Sequence, residues 1–177
     1  LQAKLRLGAI YFAAADVPVD QFLVELPAIH DLAAELVVNQ SDKDGALSSA
    51  ERFMGGAPRI GLLHSAAAAS GSDDWLLELK RFNVVNVSLG ASERGFDITG
   101  HRYWFDHPWA SSDVVLAIRT DLEPQQRGLV GAPLPGRPDR DSLVWAIPPD
   151  YPDRLRGLGK LRGQAPLRER KADGVPR

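Results

Sequence analysis

The sequence predicts an α/β fold, a parallel sheet with flanking helices, followed by a Pro/Gly-rich C-terminal extension. Three observations carry this expectation. Short apolar runs alternate with stretches of helical periodicity, the pattern of strand, crossover and strand in a parallel sheet. The first run is continuously apolar rather than alternating, as a strand buried on both faces must be. Finally, 177 residues with 44% hydrophobic and 25% charged content allow one domain with a substantial core, and not two.

The first strand is "LRLGAIYFAAAD" (5–16), closed by an aspartate and then a proline. In "VDQFLVELPAIHDLAA" (19–34), Phe22, Leu26 and Ile29 recur at spacings of four and three. That spacing predicts a helix, which Pro27 should kink or split. "AELVVNQ" (34–40) reads as a second buried strand. "DGALSSAERFMGG" (44–56) reads as a short helix stopped by paired glycines and Pro58. "DDWLLELKRF" (73–82) predicts a better helix, with Trp75, Leu76, Leu79 and Phe82 on one face. "NVVNVSL" (83–89) is a third strand, followed by a polar, Gly-containing loop to residue 100. A further helix is expected from about residue 110, with Val114, Val115 and Ile118 turned inward.

Beyond residue 123 the pattern dissolves. The expected organisation is a sheet-and-helix unit over 1–122, an extended arm or edge strand over 123–150 that includes "SLVWAIPPDY", and a basic, disordered tail over 151–177. Net charge is −2, unevenly spread: the tail holds eight Lys and Arg against three Asp and Glu, the rest thirteen against twenty. With few aromatics, the tail reads as a solvated end rather than a nucleic-acid surface. The absence of cysteine excludes disulfides, thiolate zinc sites and a cysteine nucleophile. No run reaches the roughly 18 apolar residues of a membrane span, and the first residues lack the order of a signal peptide. A cytoplasmic protein without membrane association is the expectation. The chain starts at Leu1 rather than Met, which suggests a piece of a longer protein.

The segment "QSDKDGALSSAE" (40–51) admits two chemistries. Counted as a calcium loop with Gly45 at position six, Asp42 and Asp44 fall on positions three and five, Ser48 on nine and Glu51 on twelve. Gln40 then stands where an ionised aspartate is needed, the helix after the loop is cut short by Gly55, Gly56 and Pro58, and no second loop pairs with it. The other chemistry is a turn after a strand, presenting one carboxylate to a catalytic histidine. Asp44 follows the strand at 34–40, and His101 follows the strand at 83–89, in "TGHRYWFDHPWASSD". In a parallel sheet both lie on one rim. This is the order of acid and histidine in hydrolases built on open parallel sheets.

Together, "LGAIYFAAADVPVDQF", "VVNQSDKDGALSSAERFMGGAPRIG", "VNVSL" and "GHRYWFDHPWASSDVVLAI" resemble the carboxyl-terminal half of a family of bacterial α/β-hydrolases. These are esterase- or lipase-like proteins first described as a domain of unknown function. The likeness spans roughly residues 5–120. It is most specific around Asp44, Ala46, Leu47, the Gly-Gly pair, Arg59 and Gly61. It implies the C-terminal portion of an α/β-hydrolase fold, Asp44 as triad acid and His101 as general base, with Asp42 able to substitute for Asp44. Asp16 corresponds to an aspartate at the rim, without a chemical role. The family's serine sits in a His-Ser-Met-Gly elbow upstream of residue 1 of this chain, and no G-x-S-x-G is present. "GLLHSAAAASG" (61–71) imitates the elbow with His64 and Ser65, but it follows the acid and lacks the glycine two residues beyond the serine.

The resemblance therefore implies a serine esterase acting on a small-molecule ester, with no cofactor and no metal. The nucleophile's segment is missing from this chain, so the fragment alone is expected to be inactive and, with a sheet edge exposed, prone to aggregate. The alternative is a non-enzymatic binding module on the same scaffold. His107, before Pro108, reads as capping or packing the next helix, and His30 as partly exposed. No histidine spacing suits zinc. Tyr103, Trp104, Phe105 and Trp109 pack the last helix on the sheet or line an acyl pocket. Arg59 tethers the acid loop through carbonyls or an aspartate, or meets a substrate carboxylate.

Overall fold

In the computed structural model, residues 7–42, 44–53, 55–62, 81–88, 103–133 and 144–161 are described. Their strands form one five-stranded sheet: β1 (Leu7–Phe12), β2 (Ala33–Gln40), β3 (Asn83–Asn86), β4 (Val130–Ala132) and β5 (Val144–Ala146), in the order β1-β2-β3-β5-β4. β1, β2, β3 and β5 run parallel, and β4 pairs antiparallel with β5. The helices are α1 (Val19–His30), α2 (Gly45–Phe53), the short α3 (Tyr103–Asp106), α4 (Pro108–Arg119) and α5 (Tyr151–Leu161). None of the described helices is long and apolar enough to cross a membrane.

Strand pleating divides the core into two layers, because successive side chains point to opposite faces. On one face Leu36, Val38, Val84 and Val144 pack with Val19, Phe22 and Leu26 of α1, with Ile10 and Phe12 beside them. Phe22 stands between Phe12 and Phe82, in edge-to-face contact with each. On the other face Val37 and Val85 meet Ala110 and Ala117 of α4 and Tyr151 of α5. Both faces are covered, so the central strands place apolar residues on both sides, Leu36 and Val38 on one and Val37 and Val85 on the other.

The predicted strands at 5–16, 34–40 and 83–89 correspond to β1, β2 and β3. α1 runs unbroken through Pro27. That residue is exposed, so the carbonyl it leaves without an N–H partner lies on the side that faces water. The helix expected over 73–82 lies outside the described residues, apart from Arg81 and Phe82.

Three expectations are corrected. α4 buries Ala110, Asp113, Leu116 and Ala117, whereas Val115 and Ile118 are each 52% exposed. The inward stripe is centred on an aspartate, which a reading by apolarity alone turns outward. "SLVWAIPPDY" does not supply an edge strand or docked arm, since β5 lies between β3 and β4; Val144 and Ile147 are each 1% exposed. The segment from 123 thus continues the sheet, and β4 forms its edge among the described strands. The tail expected from 151 begins instead as α5, whose Tyr151 is wholly buried; residues 162–177 lie outside the described part.

Candidate functional site

The carboxyl ends of β1, β2 and β3 form one rim, the place where open parallel sheets put their ligands. β2 ends at Gln40 and β3 at Asn86, paired in register. The chain then holds the two ends together: Val87 N donates to Gln40 O at 2.9 Å and Asp42 N to Ser88 Oγ at 2.9 Å. Asp44 follows, fully buried. Its Oδ1 accepts the Leu47 N–H at 2.9 Å, so it caps the first turn of α2, where the helix leaves N–H groups unpaired. The cap explains locally why a strand, a tight turn and a short helix follow one another here. Asp42, the substitute acid, is exposed. Of the two aspartates, Asp44 is thus the one held by burial and a helix cap.

A second loop buttresses this turn. Residues 58–61 run alongside 15–19: Val19 N bonds to Pro58 O, Ile60 N to Val17 O and Gly61 N to Ala15 O. The same loop is tied to the end of β2 by Ser41 N to Gly61 O and by the Gln40 side-chain amide to Ile60 O. Gly61 must be glycine, since a Cβ there would stand 2.6 Å from Leu47 Cδ1 and 2.9 Å from Ala15 O. Arg59 is 6% exposed. Its Nε stands 3.3 Å from Asp16 Oδ1 but is not aligned for a hydrogen bond, so the contact is charge pairing. The pair ties the 58–61 loop to the chain just beyond the end of β1. At that end the chain turns at Ala14, which is buried with φ +48°, a left-handed conformation uncommon outside glycine.

His101 lies outside the described residues, as do His64 and Ser65. The calcium reading of 40–51 does not fit the backbone. Gln40 belongs to β2 and spends its amide on Ile60, while α2 begins at Gly45, in the middle of the would-be loop. No group of three or more His, Asp and Glu able to hold a metal ion occurs among the described residues. His107 caps α4, its Nδ1 accepting the Trp109 N–H at 3.2 Å. His30 is partly exposed beside Asp31. Trp104 and Trp109 pack against the second core layer, whereas Phe105 is 62% exposed.

The sequence reading missed a buried polar seam on the α4 face of the sheet. Arg127 is wholly buried. Its Nε donates to Asp113 Oδ1 at 2.8 Å, and its Nη1 to Glu35 Oε1 at 2.8 Å and Leu122 O at 3.0 Å. Tyr11 OH donates to Asp113 Oδ2 at 3.5 Å and accepts from Asn39 Nδ2 at 2.9 Å. Asn83 joins Glu35 to Trp145, donating to the first at 3.1 Å and accepting the indole N–H of the second at 3.2 Å. Burial pushes Asp113 above the usual carboxylate range, against the lowering effect of Arg127. Burial alone would lower the Arg127 pKa, but Asp113 and Glu35 outweigh it and hold the guanidinium charged. The only signal in the sequence is the period: Asp113 falls three and four residues from Ala110 and Ala117, on the inward face.

A cleft of about 390 Å³ opens at the opposite end of the sheet, between Glu35, Arg81, Asn83, Asp121 and Glu123. It lies at the amino ends of β2 and β3, away from Asp44. What the described rim offers chemically is a buried, helix-capping carboxylate just beyond the carboxyl end of β2. No family model matches this chain, and neither does any curated protein or solved structure.

Proposed function

We propose that this chain is the carboxyl-terminal portion of an α/β-hydrolase of the serine esterase type, acting on a small-molecule carboxylic ester. In this reading Asp44 orients His101. The imidazole takes the proton of a serine as it attacks the ester carbonyl, then returns it to the departing alcohol. Water hydrolyses the acyl-enzyme by the same histidine in reverse order. The serine would come from a strand outside this chain, laid along β1, which pairs on one side only among the described strands. The chain alone would then be inactive.

The observation that carries the reading is Asp44 itself: a wholly buried carboxylate, held by a helix cap, at the carboxyl end of an inner parallel strand. The test is labelling of the full-length protein with a fluorophosphonate probe. Labelling is expected to fall at least about 100-fold in Asp44→Asn and in His101→Ala, given the contribution of general-base catalysis. Equal labelling of both variants and the parent would refute the assignment.

A further inference from the structure

We infer that the seam between the sheet and helices α4 and α5 binds internal water, bridging Asn39, Arg127 and Tyr151. Arg127 brings five N–H donors. One at Nε and two at Nη1 are taken by Asp113, Glu35 and the Leu122 carbonyl, while Nη2 has no partner and no solvent. Asn39 Oδ1 and the Tyr151 hydroxyl are buried in the same way, again without a partner. Exchanging the oxygen and nitrogen of Asn39 would only change which of its atoms is left over.

Two of the three groups connect to one carboxylate, and the third, Tyr151, belongs to the core layer on the same face of the sheet. Asn39 reaches Asp113 through the Tyr11 hydroxyl, and Arg127 reaches it directly. Tyr151 feels both charges: burial and the nearby Asp113 push its phenol well above the ordinary value, against the pull of Arg127. Unpaired polar groups this deep forfeit the hydrogen bonds they had in the unfolded chain, and three of them on one face of the sheet are a heavy cost for a single domain.

The mixture of groups selects the occupant. A cation would face the guanidinium, and an anion would face Asp113 and Glu35. Water, with two donors and two acceptors, accepts from Arg127, donates to Asn39 and pairs with the Tyr151 hydroxyl in either sense. The inference is independent of the hydrolase reading, because it uses neither Asp44 nor His101.

The test combines two measurements on the whole protein. Protein–water NOE spectra are expected to show contacts from the Arg127 Nη2 and Asn39 side-chain protons to a slowly exchanging water. Tyr151→Phe is expected to lower the thermal midpoint by about 2–4 °C, because the hydroxyl it removes is bonded to that water. If the hydroxyl is dry, the same substitution leaves the midpoint unchanged or raises it. Either that result or the lack of NOE contacts would overturn the inference.

Discussion

Arg127→Met is the most informative perturbation of this fold. The substitution keeps most of the side-chain volume and removes the only cation that the described seam contains. It leaves Asp113, with a side chain 1% exposed, and Glu35, at 15%, without their shared partner. Breaking a buried ion pair from one side costs about 3–5 kcal/mol. Glu35 can turn to water, since it borders the cleft at the amino ends of β2 and β3. Most of the loss then falls on Asp113, and the lower end of the range, about 3 kcal/mol, is the expected figure. Against a total stability of about 5–15 kcal/mol this is a large fraction. The assay is urea unfolding followed by tryptophan fluorescence, for which Trp104, Trp109 and Trp145 stand on the seam side of the sheet.

The pH dependence supplies a second signature. Asp113 already has a raised folded-state pKa, and its ordinary value is 3.8. A carboxyl raised on folding contributes stability that is fully present below its unfolded value and is lost as pH rises through the folded value. Removing Arg127 raises Asp113 further, so the deficit of the variant is expected to be largest near neutral pH and to narrow as pH falls toward about 4. Replacing Asp113 by Leu in the same chain should recover a large part of the loss, because a buried pair exchanged for apolar groups is often close to neutral. A deficit below about 1 kcal/mol, or one equal at both pH values, would show that the seam does not bear on stability as argued.

Two further substitutions separate structure from chemistry at the rim. Asp44→Ala removes the cap of α2 and should cost about 0.5–2 kcal/mol, whereas Asp44→Asn keeps a capping oxygen and should unfold within a few tenths of a kcal/mol of the parent. Paired with the labelling experiment, Asp44→Asn that is stable yet unlabelled distinguishes a catalytic carboxylate from a helix cap; urea midpoints of both variants supply the check. Gly61→Ala should cost about 1–3 kcal/mol, because its methyl meets the Ala15 carbonyl at 2.9 Å as well as the flexible end of Leu47. Thermal unfolding with a midpoint unchanged from the parent would mean that the two loops part without strain.

The class of fold and the order of elements in its first half could be read directly from the residues. Unbroken apolar runs at β1 and β2 and the four-and-three spacing of Phe22, Leu26 and Ile29 depend only on local burial on two faces or one, so they are legible in a line of residues. The turn at Asp44 and Gly45 was legible too, because a strand followed by Asp-Gly and a short helix is a local pattern; the capping of that helix by Asp44 was not read from it. Which face of α4 points inward, where β5 sits in the sheet and that Arg127 is an interior residue emerge only from the folded chain. Each of these depends on a partner far away in sequence: Asp113 can face the core because Arg127 and Tyr11 meet it there, and the three residues of β5 become a strand because β3 and β4 stand on either side. Local patterning reports how much of a residue is buried, while a buried charge is tolerated only by what lies opposite, and that information is spread over more than a hundred residues of chain.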